Sequence, residues 1–319
     1  MPTPLPPLRG RFVWHELMTS DTKSAANFYT KLVGWKTKVF DQNPSYTMFT
    51  AKGRPVAGLM ALPEPSSPLS WLAYIGTPNV DETARQAEGL GGKVVKKPTD
   101  IPTIGRFAIL QDPQGAMFVA FTPLPSSAPP PDSTPASDDF SWHELATTDW
   151  RGALGFYKSL FGWEETESMD MGPEMGTYQM YGWKGHTLGG MMNKPRQSPG
   201  PPAWLSYIKV ADAKKAAAAV KKLGGQIING PMEVPDGSWI AAGLDLQGAA
   251  FAVNSPKPSP KKSKPPKAKA ARRAAATKAV KKKTPAKKRK PVKKMKPMKN
   301  MKMAKKKKPV RKKKTGSKK

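Results

Sequence analysis

The run Trp-His-Glu-Leu occurs twice in this chain, at residues 14–17 and 142–145. A histidine beside a glutamate suggests two chemistries: ligation of a divalent cation, or proton transfer by either group. The flanking residues, Phe12-Val13 and Phe140-Ser141, make the segment β-prone, and neighbours on a strand face opposite ways. Only one member of each His–Glu pair can therefore enter any one cavity. That is fewer than the three or four protein ligands a metal site commonly uses, and the shortfall holds in either register. The expectation is a site with no metal and no other cofactor. His186 sits among Gly185, Gly189 and Gly190 without a counterpart in the first half, where Arg54 stands, and reads as a surface residue. The chain has no cysteine, which excludes disulfides, thiol nucleophiles and thiolate-held metals.

The elements that position these residues are themselves duplicated. FVWHELMTSDTKSAANFY…GW, from residue 12, returns 128 positions later as FSWHELATTDWRGALGFY…GW. Each copy opens with a strand. Asp21 and Asp149 are placed to cap a following helix. Ala25, Phe28, Tyr29 and Leu32 then recur at helical spacing, as do Ala153, Phe156, Tyr157 and Leu160. Gly34 and Gly162 suit a left-handed helix end. Short β-prone runs follow, and the pattern restarts with SWLAYI or AWLSYI, a helix ended by Gly-Gly, and three more strands. Each copy thus reads as two βαβββ units, four in the chain. The fold class is α+β, two tandem domains of paired βαβββ units with curved sheets, followed by a disordered basic tail. The boundaries fall at 1–124 for the first domain, 125–137 for a Pro/Ser linker, 138–254 for the second domain and 255–319 for the tail.

The strand–Asp–helix–FY opening with its Gly-Trp end, the Trp-Leu-x-Tyr-Ile strand and the Asp-x-Gln-Gly-Ala-x-Phe ending resemble the vicinal oxygen chelate superfamily. That group includes glyoxalases, bleomycin-resistance proteins and extradiol dioxygenases. The nearest pattern is that of the two-domain, glyoxalase-like bacterial proteins. The resemblance implies cupped sheets and, in metal-dependent members, His, Gln or Glu ligands on the first and last strands of each unit. Here those positions fall on Trp14 and Trp142, and on Val119 and Ala252. The same register implies that Trp14, Glu16 and Met18 face the cup, with Trp142, Glu144 and Ala146 in the second copy. Val13, His15 and Leu17 then face the other way. Trp71, Tyr74, Trp204 and Tyr207 complete the expected ligand lining, with a place in the core as their alternative. An aromatic beside a carboxylate suits a flat or cationic organic ligand. A desolvated Glu16 or Glu144 would have a raised pKa and could act as acid or base. Alternatively, each only accepts local hydrogen bonds and shapes the fold. The two domains are also expected to pair within the chain, which would cover sheet edges.

The charge is partitioned. Residues 255–319 hold 31 of the 54 Lys and Arg and no acid, leaving 23 bases against 23 acids in the body. No aromatic follows Phe251. Such a tail, resembling those of linker histones, cannot build a core, but it can release counterions from a polyanion without reading sequence. The residues assigned to nucleic-acid contact are Lys261, Lys262, Arg272, Arg273, Lys281, Lys282, Lys283, Lys287, Lys288, Arg289, Lys290, Lys305, Lys306, Lys307, Lys308, Arg311, Lys312, Lys313 and Lys314. No 18-residue apolar run and no signal-peptide-like N-terminus is present, so the expected location is cytoplasmic, with nucleoid association through the tail. The leading reading is a metal-independent small-molecule-binding body tethered to nucleic acid. The alternatives are an enzyme, a lyase or oxidoreductase of glyoxalase, dioxygenase or hydroxylase type, and a histone-like architectural DNA protein.

Overall fold

The computed structural model describes residues 8–125, 139–195, 198 and 200–257. The linker residues 126–137 and the tail residues assigned to nucleic-acid contact, Lys261 to Lys314, lie outside them.

The first repeat runs β1 (Phe12–Thr19), α1 (Thr22–Val33), β2 (Lys36–Phe40), β3 (Asn43–Ala51), β4 (Arg54–Ala61), then β5 (Ser70–Gly76), α2 (Val80–Gly89), β6 (Lys93–Ile101), β7 (Gly105–Gln111) and β8 (Met117–Pro123). The second runs β9 (Phe140–Thr147), α3 (Trp150–Phe161), β10 (Glu164–Asp170), β11 (Thr177–Trp183), β12 (His186–Asn193), then β13 (Ala203–Lys209), α4 (Ala213–Lys222), β14 (Gln226–Glu233), β15 (Trp239–Leu244) and β16 (Ala250–Ser255). Each repeat makes one eight-stranded sheet, ordered β2-β3-β4-β1-β5-β8-β7-β6 and β10-β11-β12-β9-β13-β16-β15-β14. Within each, the two βαβββ units meet at a central antiparallel pair, β1 with β5 and β9 with β13. The fold is the α+β arrangement of four βαβββ units read from the sequence.

Local chemistry sets the helix ends. The Asp21 side chain accepts from the Lys23 and Ser24 amides, and Asp149 accepts from Gly152. Gly34 and Gly162 close their helices at φ 78° and 73°, where a Cβ would be strained. One facing differs from expectation. Val13 is skipped between the rungs Phe12↔Ile75 and Trp14↔Tyr74. It packs with the cup's apolar cluster instead of turning away with His15 and Leu17.

The two cores are shared between the repeats. One joins Leu17, Phe28, Tyr29, Phe49 and Trp71 from the first unit and β5 to Ala216, Val220, Phe251 and Val253 from the fourth. The other joins Ile75, Ala84, Ala87, Leu110 and Phe118 from the second unit to Leu145, Phe156, Tyr157, Phe161 and Trp163 from the third. Helices therefore meet across repeats, α1 with α4 and α2 with α3. Each sheet buries its helix-bearing face in this shared core and turns its cup face away.

Two polar chains cross the same interface. Trp71 Nε1 donates to Tyr29 Oη at 2.8 Å, and Tyr29 donates to Asp245 Oδ2 at 3.1 Å. Trp204 donates to Tyr157 at 3.0 Å, and Tyr157 to Asp112 at 3.1 Å. The other carboxylate oxygen of each aspartate accepts three successive amides, Gln114, Gly115 and Ala116, or Gln247, Gly248 and Ala249. These are the Asp-x-Gln-Gly-Ala segments, whose aspartates anchor a helix of the opposite repeat.

Candidate functional site

Each cup holds one glutamate at the middle of its central strand. Glu16 pairs in register with Leu72 on β5 and Gly58 on β4, and Glu144 pairs with Leu205 on β13 and Gly190 on β12. Alternation puts Trp14, Glu16 and Met18 on one face of β1, and Trp142, Glu144 and Ala146 on one face of β9. In the first cup, Tyr46 and Tyr74 both donate to Glu16 Oε2, at 3.0 and 3.1 Å, and Trp14 Nε1 donates to Tyr46 Oη at 3.1 Å. In the second, Tyr178 and Tyr207 donate to Glu144 Oε2, both at 3.1 Å, and Trp142 donates to Tyr178 at 2.9 Å. The same Trp–Tyr–Glu–Tyr network is built twice. Among the described residues neither Oε1 has a hydrogen-bond partner, so one oxygen of each carboxylate remains available in the cup.

The electrostatics follow from burial. Glu16 is only 7% exposed. Desolvation raises its pKa above the ordinary value, against the opposing effects of the Tyr46 and Tyr74 hydroxyls and the positive charge of Lys96. Burial likewise raises Glu144, opposed by Tyr178 and Tyr207. The tyrosines are pushed up by burial and by the adjacent carboxylate, so they remain neutral donors.

Two glycines make room for this arrangement. A Cβ on Gly58 would stand 1.8 Å from Tyr46 Oη, and one on Gly190 would stand 2.1 Å from Tyr178 Cε1. Any larger residue would displace the tyrosine from its carboxylate. Tyr46 and Tyr178 were not expected from the sequence. They come from β3 and β11, two strands away from the glutamate. Their signal was a glycine on the intervening strand beside an aromatic on the next.

Trp71 and Trp204 correct the expected lining. They pack in the shared cores with their N–H groups on Tyr29 and Tyr157. Each lies three positions before Tyr74 or Tyr207, an odd spacing that puts the two on opposite faces of a strand. Of the eight expected lining residues, the structure thus brings six together in two cups, as Trp14, Glu16 and Tyr74 and as Trp142, Glu144 and Tyr207. His186 is exposed at the start of β12.

His15 and His143 face the shared core. Their Nε2 atoms lie 2.8 Å apart, and each ring stacks on an aromatic of the other repeat, His15 on Phe140 and His143 on Phe12. Burial lowers both pKa values, that of His143 to about 3, and the neighbouring imidazole lowers His15 further. Both are neutral packing residues, out of reach of either cup.

The donor set of each cup does not fit a divalent metal. The described residues contain no group of three or more His, Cys, Asp or Glu side chains placed to hold one. Each cup offers a single carboxylate, one of whose oxygens is occupied by two tyrosine hydroxyls. Val119 lies beside Tyr74 in the first cup and Ala252 beside Tyr207 in the second.

A family profile, the Glyoxalase/Bleomycin resistance protein/Dioxygenase superfamily, matches residues 11–119 and 140–253. The chain belongs to this superfamily, with one such domain in each repeat. A Mycobacterium tuberculosis protein, CFP32, named provisionally as a glyoxylase, is 32% identical over 259 residues, covering 77% of this chain and 94% of its own length. The anthracycline biosynthesis protein DauV of Streptomyces sp. strain C5 is 27% identical, covering 76% of this chain and 92% of its own. Among solved structures, the Mn(II)-bound glyoxalase from Novosphingobium aromaticivorans shares the fold at a TM-score of 0.53 and 16% identity, covering 78% of this chain and 82% of that one. The 2,3-dioxygenase LapB from Pseudomonas sp. KL28 does so at 0.54 and 10%, covering 79% and 95%.

Proposed function

We propose that the body, residues 8–257, binds a small aromatic organic molecule without using a metal, and that the polycationic tail attaches the body to nucleic acid. The observation that carries the first part is the duplicated Trp–Tyr–Glu–Tyr network, in which a desolvated carboxylate keeps one free oxygen in an aromatic-lined cup. Such a site accepts a hydrogen bond from a hydroxyl or amine on a flat ligand. The likeness to DauV, named for anthracycline biosynthesis, agrees with an organic ligand. Metal independence rests on the poor donor set. Native mass spectrometry of the full chain with metal analysis tests this reading. The expected result is an organic adduct with less than about a tenth of an equivalent of transition metal. A stoichiometric metal ion would overturn metal independence.

The tail reading rests on the charge partition. Retention on duplex DNA should fall steeply with salt. If about ten phosphates are neutralised, the slope of log K against log salt is roughly −9. A 1–257 truncation should lose this binding. Equal binding by the truncation would sink the tether.

One observation favours a catalytic second reading. The free Oε1 of Glu16 or Glu144, on a carboxyl with a raised pKa, is suited to exchange a proton with a bound hydroxyl. On this reading Glu→Gln at the working site abolishes turnover while ligand binding persists. Loss of binding and turnover in equal measure would leave the glutamate a binding residue only.

A further inference from the structure

The two cups share their polar network but not their walls. The rung Tyr74↔Val119↔Ile109 of the first sheet corresponds to Tyr207↔Ala252↔Ala242 of the second. The next rung, Phe121↔Phe107, corresponds to Asn254↔Ile240. Met18 corresponds to Ala146 in the matching positions of β1 and β9. At each of these positions except the shared tyrosine the second cup carries the smaller side chain. Ile101 and Ile104 also join the apolar filling of the first cup, whereas the second cup's cluster is limited to Tyr207, Ala242 and Ala252 with Trp142, Leu205 and Ile240. Glu144 and Leu205 accordingly keep more exposure than Glu16 and Leu72.

The second cup also has a polar end. Lys209 and Asn254 lie two residues beyond Tyr207 and Ala252 on the same strand faces. With Ser141, Asp236 and Ser238 they line a hollow of about 260 Å³. Ser141 Oγ donates to Asn254 Oδ1 at 2.9 Å. No carboxylate pairs with Lys209 among the described residues. In the first cup the place of Asn254 is taken by Phe121. Lys209 stands four residues along β13 from Leu205, the rung partner of Glu144, which is about 13 Å of strand.

We infer that the second cup alone is the ligand site, and that it takes an aromatic acid whose hydroxyl meets Glu144 and whose carboxylate meets Lys209. This rests on the small-molecule reading above and deepens it. The side chains of the first cup fill it, so its network serves as framework.

The test uses the full chain and 6-hydroxy-2-naphthoic acid, a two-ring probe with its hydroxyl and carboxylate at opposite ends, with 2-naphthol as control. Isothermal titration should give one equivalent of the acid per chain. The double variant Ala242→Ile with Ala252→Val, which gives the second cup the walls of the first, should weaken binding at least tenfold. Lys209→Gln should weaken the acid about tenfold and leave 2-naphthol unchanged. The reciprocal variant Ile109→Ala with Val119→Ala opens the first cup and should raise the 2-naphthol stoichiometry from one to two, so the inference stays testable if the filled variant misfolds. Two equivalents in the unaltered chain, or sensitivity to Glu16→Gln rather than Glu144→Gln, would overturn this inference and leave the broader reading standing. Failure of both probes to bind any form would overturn both.

Discussion

At the scale of single residues, the glycines opposite the glutamates set the strictest condition. Gly58→Ala and Gly190→Ala should each displace a tyrosine and cost about 1–3 kcal/mol in urea denaturation, the range for a buried hydrogen-bonding group left unsatisfied. Gly89 and Gly155 are helical glycines, and a Cβ added to either would meet nothing within 4 Å. Alanine there should instead stabilise by about 0.5–1 kcal/mol. A result of the same sign at all four sites would contradict the close-approach argument. Titration gives a second test. Glu16 and Glu144 have raised pKa values in the folded chain, so their contribution is fully present below the ordinary value of 4.5 and is lost as pH rises through the folded values. His15 and His143 are depressed, so theirs is present above the ordinary value of 6.5 and is lost as pH falls toward the folded values. Between pH 6.5 and 4.5 His143, whose folded value is about 3, should cost about 2–3 kcal/mol of stability, and His15 acts in the same direction. Urea midpoints across that window should flatten at the acid end in His15→Gln/His143→Gln and at the neutral end in Glu16→Gln/Glu144→Gln. Unchanged profiles in both variants would show that these groups do not govern the pH dependence.

Among the elements, the strand of sequence W-L-x-Y joins site and core. Its tyrosine enters the cup and its tryptophan hydrogen-bonds to the tyrosine of a helix that a partner aspartate holds from the other repeat. Tyr29→Phe should cost about 1–3 kcal/mol, because it leaves the Trp71 N–H buried without its acceptor and removes a donor from Asp245. A thermal midpoint identical to that of the unaltered chain would show the chain of hydrogen bonds to be energetically idle. The strand also shows what the sequence made legible. Duplication and periodicity revealed the βαβββ order, the Asp caps and the opposite facing of His and Glu, all of which depend on neighbours in sequence, while the family resemblance implied which of the two enters the cup. The odd spacing from Trp71 to Tyr74 already implied opposite faces, and reading the whole aromatic strand as lining overlooked it. Tyr46 and Tyr178 were illegible for a different reason. They reach the glutamates across an intervening strand, and the spacing between the repeats changes there, since Tyr178 lies 132 rather than 128 positions after Tyr46.

At the scale of the whole molecule, the shared cores make the repeats interdependent. Residues 1–137 expressed alone would expose Phe28, Trp71 and Phe118, which the other repeat helps to cover. Each half is expected to aggregate when produced separately and to recover solubility on co-expression. A soluble, cooperatively folded single half would refute this. The duplicated plan also ends at one point where equivalence is impossible. The His15 and His143 nitrogens face each other at hydrogen-bond distance, and both rings are neutral. A single hydrogen must therefore reside on one Nε2 and be absent from the other. The two repeats differ in tautomer at the place where their sequences agree best, and nitrogen NMR should resolve one pyrrole-like and one pyridine-like Nε2, or their exchange average if the proton hops between halves.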